Sequence, residues 1–272
     1  MLLPADYPRF TLSRAGLTPE QVAFFRQHGF LHFRSFSSPE EVQALLRAVA
    51  ALEQQWRAAG RRKVSGVPLK YGRDVDGQPL IQRLAFTAQH SPVLGALLQD
   101  ARLPALFELL GGPGGRIGAD EKDGLVAGHY LHAPGSTFSQ MGWHTDALRD
   151  VFYGRRPGPL LNVGLHLDAC PARCGGLRVL PGTHRQSRWQ LLTRKLYFLN
   201  TRPDPAELPI ETEPGDLTVH DGRMWHRVAR AQVSGAASRR RVLYVPVLSG
   251  PYRPKHAGSP TPLYLRFLDW LR

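Results

Sequence analysis

Two histidine–aspartate pairs with a single residue between their members stand in this sequence, His144 and Asp146 in SQMGWHTDALRD, and His166 and Asp168 in NVGLHLDAC. Each offers an imidazole and a carboxylate, two of the three protein ligands of a 2-His-1-carboxylate metal site. His-x-Asp also recurs by chance, so spacing alone leaves metal ligands and a polar loop pair both open. Context separates the two pairs. Asn162, Gly164, His166 and Asp168 alternate along one strand face, which suits hydrogen-bonded wall residues. His144 and Asp146 end a strand and open a loop, a place that exposes ligands at a barrel mouth. A third ligand must come from a distant strand, and PGDLTVHDGRMWHRVARA offers His220 and His226. Arg240 follows at the start of the next strand. One strand out and one strand back would set it near His226, where a buried cation needs an anionic partner.

The elements that must position these residues fall into two textures. In the front of the chain, LTPEQVAFFRQHGF starts a helix with Thr18 as cap, Pro19 in the first turn and Gln21 closing a capping box, with Val22, Phe24 and Phe25 on the buried stripe and Gly29 as the stop. FLHFRSF then alternates as a strand, and Ser38, Pro39 and Glu41 restart a helix over SSPEEVQALLRAVAALEQQW. SPVLGALLQDARLPALFELLGG adds short helices that end at Gly111 and Gly112. The first ninety residues thus read as helical with one strand. From about Gly124 the texture becomes short β runs between turn residues: LVAGHYLHA, LLNVGLHLD, GGLRVLPG, GDLTVHD, MWHRVA and RRVLYVPVL. Such runs predict a barrel or sandwich, and no linker or repeat divides the halves. The expectation is a single domain over 1–272, mostly β with flanking helices. It has a helix-rich front at about 1–123, a β core at about 124–250 and a C-terminal segment at 251–272.

Composition narrows the function classes. The chain has 272 residues, 42% of them apolar, enough for a sizeable core. No apolar run suffices for a membrane span and MLLPADYPRF lacks signal-peptide features, so the expected location is the cytoplasm, without membrane contact. Cys170 and Cys174 read as free thiols. A formal charge of +13 raises the question of nucleic acid. The basic residues are scattered, and their one tight triple, Arg239 to Arg241, runs straight into a strand, so no nucleic-acid partner is expected.

At this point the sequence resembles the phytanoyl-CoA dioxygenase family of iron(II)- and 2-oxoglutarate-dependent oxygenases, over most of the chain. LTPEQVAFFRQHGFLHFRSFSSPEEVQAL is similar to that family's opening helix, strand and helix. WHTD resembles its first two ligands, CGGLRVLPGTHRQS its middle signature, PGDLTVHDGRMWHRV its distal-histidine segment and RRRVLYV its last strand. The resemblance implies a double-stranded β-helix, the jelly-roll or cupin-like core, buttressed by N-terminal helices. It implies that His144, Asp146 and His226 bind iron and form the catalytic centre, while Arg240 grips the distal carboxylate of 2-oxoglutarate. Arg239 or Arg241 takes that role if the register slips by one. His220 then becomes a strand residue and Asp221 a turn former.

Two positions depart from the family. Val228 stands where a serine often helps to hold 2-oxoglutarate, and Gly164 where a larger residue is common. Asn162, Tyr130 and Gln140 are the candidates to supply the missing cofactor contact. The implied reaction uses Fe(II), 2-oxoglutarate and O2, releases succinate and CO2, and hydroxylates an unactivated C–H bond of a small molecule. Related halogenases lack the carboxylate, so Asp146 favours hydroxylation over halogenation, with desaturation, epoxidation and ring closure left open. The rivals are a non-redox metal protein on the same barrel and a catalytically silent binding protein. Arg149, Arg155, Arg156 and Arg223 flank the ligand segments, which fits either an anionic substrate or a solvated arginine-rich surface.

Overall fold

The front helices begin where their capping residues dictate. In the computed structural model, which describes residues 6–148 and 159–261, α1 (Pro19–His28) opens on Thr18. The Thr18 hydroxyl accepts from Gln21 N–H, Gln21 reciprocates, and Gly29 closes the helix at φ +84°. α2 (Pro39–Ala58) repeats the box with Ser38 and Glu41, each such cap contributing about 1 kcal/mol. α3 (Pro92–Leu97) and a 3-10 stretch over Leu103–Leu110 follow, the latter ending on Gly111 at φ +70°. α4 (Arg188–Thr193) lies later in the chain. Of the stripe expected on α1, Phe25 is fully buried while Val22 and Phe24 are half-buried. Gln21 is buried as well, donating to Thr11 O at 3.0 Å.

The strands are β1 (Phe30–Phe33), β2 (Lys63–Val64), β3 (Val67–Pro68), β4 (Lys70–Arg73), β5 (Pro79–Leu84), β6 (Arg116–Ile117), β7 (Val126–Tyr130), β8 (Met141–His144), β9 (Leu160–His166), β10 (Gly176–Val179), β11 (Leu208–Pro209), β12 (Leu217–Asp221), β13 (His226–Ala229) and β14 (Arg240–Leu248). The large sheet runs β1-β12-β9-β14-β7-β5-β4, with β6 beside β14; a four-stranded sheet runs β11-β10-β13-β8. The chain is thus mostly sheet with a few helices, and all six β runs of the C-terminal half are strands.

Two expectations need correction. The front is not helical with one strand, because residues 63–84 form β2 to β5, and β4 and β5 extend the large sheet against β7. Their signal was the turn Asp74-Val75-Asp76-Gly77, with Gly77 at φ +79°, between short polar strands whose alternation is too brief to stand out. Nor do β13 and β14 form an out-and-back pair: β13 pairs with β10 and β8, and β14 with β9 and β7. Arg240 reaches the end of β13 across the gap between sheets, through Nη1 to Ala229 O at 3.0 Å.

Period-two alternation divides the faces of the large sheet. Leu161, Val163 and Leu165 of β9, Leu217 and Val219 of β12, and Leu243, Val245 and Val247 of β14 join Leu45, Leu52 and Trp56 of α2 and Leu103, Leu106 and Leu110 in one apolar core. The intervening residues, Asn162, His166, Thr218, His220, Val242 and Tyr244, line a cavity whose other wall comes from the four-stranded sheet. Burying a Leu or Val side chain stabilises by about 1.5–3 kcal/mol, so this core fixes the strand register. A slip by one residue would turn the polar row into it. Among the described residues, no helix is long and apolar enough to cross a membrane.

Candidate active site

β8 ends at His144, Asp146 follows two residues on, and β13 begins at His226, whose Cα pairs with that of His144 across the ladder. One ligand atom from each of the three lies within 4.8 Å of the others, and all three residues are buried. Both histidines are oriented by carbonyls: His144 Nδ1 lies 2.8 Å from Gly142 O, and His226 Nδ1 lies 3.0 Å from Met224 O. A carbonyl can only accept, so Nδ1 carries the proton and Nε2 presents its lone pair. Asn162 Nδ2 donates to Asp146 Oδ2 at 2.9 Å and fixes the carboxylate. Two imidazoles, each oriented through Nδ1, and one anchored carboxylate make a donor set that fits a divalent non-haem iron.

Phe198 stacks on the His144 ring, with centroids 4.7 Å apart and planes at 24°. It holds φ +58°, rare for a bulky residue, and its N–H donates to Trp143 O at 2.8 Å. Gly142 permits this approach, since a Cβ there would lie 2.2 Å from Phe198 O. No sequence pattern announces a phenylalanine in the left-handed region.

The same cavity, of about 490 Å³, extends to Arg240. Arg240 is 3% exposed, and its Nη1 and Nη2 donate to the carbonyls of Ala229 and Ser139, at 3.0 and 3.1 Å, with the Cys170 thiol beside the guanidinium. Its Nε has no partner, and no described carboxylate pairs with it. The neighbouring arginines are engaged: Arg239 with Asp74 at 2.6 Å, Arg241 with Asp168 at 2.5 Å. Gly175, at φ +81°, clears the way for this side chain, as a Cβ there would stand 2.7 Å from Arg240 Nη1, and Gly176, at φ +86°, makes room for Cys170, whose Sγ would lie 2.5 Å from a Cβ. That is the physical content of the CGG segment. Tyr130 lies under the guanidinium at 5.5 Å, stacks on Phe138 at 4.2 Å, and has its hydroxyl 3.4 Å from that of Tyr244. Burial pushes both phenols above their ordinary range, so they stand here as neutral hydroxyls. Val228 packs against Tyr130 and Phe138. Gln140 is exposed at the cavity wall.

The second His-x-Asp pair is placed differently. Asp168 takes the Arg241 N–H at 2.7 Å as well as its guanidinium, and His166 Nε2 meets Thr218 Oγ1 at 3.0 Å. Arg223 is spent on Asp221 at 2.7 Å and does not line the cavity, while Arg149, Arg155 and Arg156 lie outside the described residues. Cys170 and Cys174 are free and buried. His220 lines the cavity beside the histidine–aspartate cluster, with ring centroids 4.3 Å from His226.

The sequence model of the phytanoyl-CoA dioxygenase (PhyH) family matches residues 25–241, a span that holds His144, Asp146, His226 and Arg240. The chain belongs to the phytanoyl-CoA dioxygenase family. No curated protein matches it in sequence. Solved structures similar to this family member include AviO1 from Streptomyces viridochromogenes Tue57, 19% identical over 90% of this chain and 99% of that one, with a TM-score of 0.61. The non-heme alpha ketoglutarate dependent carbocyclase SnoK from nogalamycin biosynthesis is 18% identical over 98% and 94%, with a TM-score of 0.62. HygX from Streptomyces hygroscopicus, solved with nickel and 2-oxoglutarate bound, is 16% identical over 86% and 87%, with a TM-score of 0.60. At these identities the likeness speaks to the fold.

Proposed function

We propose that this family member is a non-haem iron(II)- and 2-oxoglutarate-dependent oxygenase acting on a small molecule. The observation that carries the reading is Arg240, a buried guanidinium without a carboxylate partner among the described residues, in the same cavity as a histidine–aspartate–histidine cluster. A desolvated cation is costly unless an anion meets it, and a dicarboxylate co-substrate would join the two ends. We read the two sheets as halves of a double-stranded β-helix within one oxygenase domain. The free, buried thiols suit the cytoplasm.

In this reading His144, Asp146 and His226 hold the metal. Iron bound there would supply O2 activation coupled to decarboxylation of 2-oxoglutarate to succinate and CO2. The protein's own residues do the rest. Asn162 keeps Asp146 in one orientation, and Arg240 grips the distal carboxylate with the fork its planar guanidinium provides. Tyr130 and Tyr244 offer neutral hydroxyls beside it, in place of the serine that Val228 replaces, and Gln140 borders the entrance. Phe198 covers one face of His144 and keeps water from it. Lys70, Arg83 and Lys122 line the same cavity, Arg83 in a salt bridge with Asp123 at 2.7 Å, and the excess of cations over that one carboxylate favours an anionic group on the substrate.

C–H hydroxylation is the proposed outcome, because Asp146 retains the third protein ligand. The carbocyclase among the similar folds makes ring closure the second reading. Adding 2-oxoglutarate to the anaerobic Fe(II)-loaded protein tests the proposal. A visible metal-to-ligand charge-transfer band is expected; its absence at saturating co-substrate overturns the reading.

A further inference from the structure

Among the described residues, neither nitrogen of His220 has a hydrogen-bond partner, although the residue is only 3% exposed. Buried polar groups are almost always paired, so a buried ring without a partner marks the place of something that binds. The side chain is aimed into the cavity, and its Nε2 lies 4.0 Å from Asp146 Oδ2. That gap exceeds hydrogen-bond range, and the same oxygen already accepts from Asn162 at 2.9 Å. His220 and Asn162 are directly paired neighbours on β12 and β9, so both side chains project from one sheet face toward the cluster.

We infer that His220 is a third histidine of this site which binds no metal and instead donates a hydrogen bond to the exogenous ligand at the one position that the three protein ligands and the bidentate co-substrate leave open. The inference rests on the iron reading above. Three features separate His220 from a fourth ligand. His144 and His226 each have Nδ1 anchored by a carbonyl two residues upstream, whereas His220 has no anchor on either nitrogen. It falls outside the cluster whose ligand atoms lie within 4.8 Å of one another. A fourth protein ligand would also leave only two positions on a six-coordinate metal, both taken by a bidentate keto acid. A neutral imidazole carries one N–H and one lone pair, so a ring free of protein partners can turn its N–H toward a small ligand without losing a bond elsewhere. His220 is thus a positioning residue at the open face, opposite in purpose to Asn162, which holds the carboxylate.

The test uses nitric oxide as probe on the anaerobic Fe(II)·2-oxoglutarate protein, with His220→Phe and His220→Gln. The Phe variant keeps the ring and removes both nitrogens; the Gln variant restores an N–H if Phe folds poorly, and melting curves monitor both. Fe(II) and 2-oxoglutarate affinities should stay within about twofold of wild type. Nitric oxide should bind about five- to tenfold more weakly to Phe, the scale of one lost hydrogen bond, with partial recovery in Gln. Electron–nuclear double resonance of the nitrosyl complex should show an exchangeable proton that Phe lacks. Unchanged nitric oxide affinity and an unchanged proton signal, with the charge-transfer band intact, overturn this inference alone. Loss of iron from both variants makes His220 a ligand and overturns it too. No charge-transfer band in wild type overturns the oxygenase reading, and this inference with it.

Discussion

Replacing Arg240 by alanine is the perturbation whose size the structure defines best. Its guanidinium has five N–H donors. Two nitrogens are held by Ala229 O and Ser139 O, which fix the plane, and Nε has no hydrogen-bond partner among the described residues. A carboxylate meeting Nε and one Nη would form a desolvated, bidentate pair. Removing one partner of such a pair costs about 2–5 kcal/mol, which is a rise in the 2-oxoglutarate Kd of roughly 30-fold to several thousand-fold. Calorimetric titration of 2-oxoglutarate into the anaerobic metal-loaded protein reads this directly. Arg240→Met preserves the stem and separates lost charge from lost packing, and Arg240→Lys should regain only part of the affinity. Metal binding should be unchanged in all three. Arg239→Ala and Arg241→Ala should leave 2-oxoglutarate affinity near wild type, because Asp74 and Asp168 already occupy those side chains. Affinity within threefold of wild type in Arg240→Ala, with a collapse in Arg241→Ala, would refute the reasoning.

Three further outcomes follow from particular contacts. Asp168→Asn should cost about 1–3 kcal/mol of stability, since it weakens the bonds to the Arg241 N–H and guanidinium, while metal stoichiometry stays at wild type; loss of the metal would return this pair to candidacy. Gly175→Ala, at φ +81° with its Cβ 2.3 Å from Ala229 O, should lower the melting temperature and weaken 2-oxoglutarate binding together; a fully stable variant with normal affinity would contradict the role given to the CGG segment. Burial, with the charges of Arg239 and Arg241 adding to it, lowers His129 to about 4, and burial lowers His166 to about 3, against an ordinary 6.5. The unfolded chain therefore binds protons first as the pH falls, so stability is full above about 6.5 and is lost from there down toward 4 and 3. Melting temperature should fall between pH 7 and 5, less steeply in His129→Gln; an unchanged slope in that variant contradicts the assignment.

Much of this was legible because it is local. Thr18, Gln21, Ser38 and Glu41 specify helix starts through bonds made within four residues, and the alternation of β9, β12 and β14 sorts core from cavity residues without tertiary knowledge. Motif order singled out His144, Asp146 and His226, and the fold brings one ligand atom of each within 4.8 Å of the others. What stayed hidden is what partners decide. Three consecutive arginines look alike until Asp74 and Asp168, far away in sequence, engage two of them. The bond that Asn162 gives to Asp146 was hidden too, because only the fold of β9 lays it beside the loop after β8. His220 reads as an ordinary strand residue, and only burial without a partner sets it apart. The strands of residues 63–84 escaped because each is short, so only their pairing makes them strands: β2 with β3, β4 with β5, and β5 with the distant β7.

The central claim is that His144, Asp146, His226 and Arg240 together turn over 2-oxoglutarate. Release of labelled CO2 from 2-oxoglutarate labelled at the C1 carboxylate measures this without knowledge of the substrate, through slow uncoupled turnover. The account predicts release that requires both Fe(II) and O2, disappears in His226→Ala, and in Arg240→Ala returns only at much higher 2-oxoglutarate concentration. Release that persists in His226→Ala, or none from the iron-loaded wild type under any concentration of co-substrate and oxygen, would contradict it.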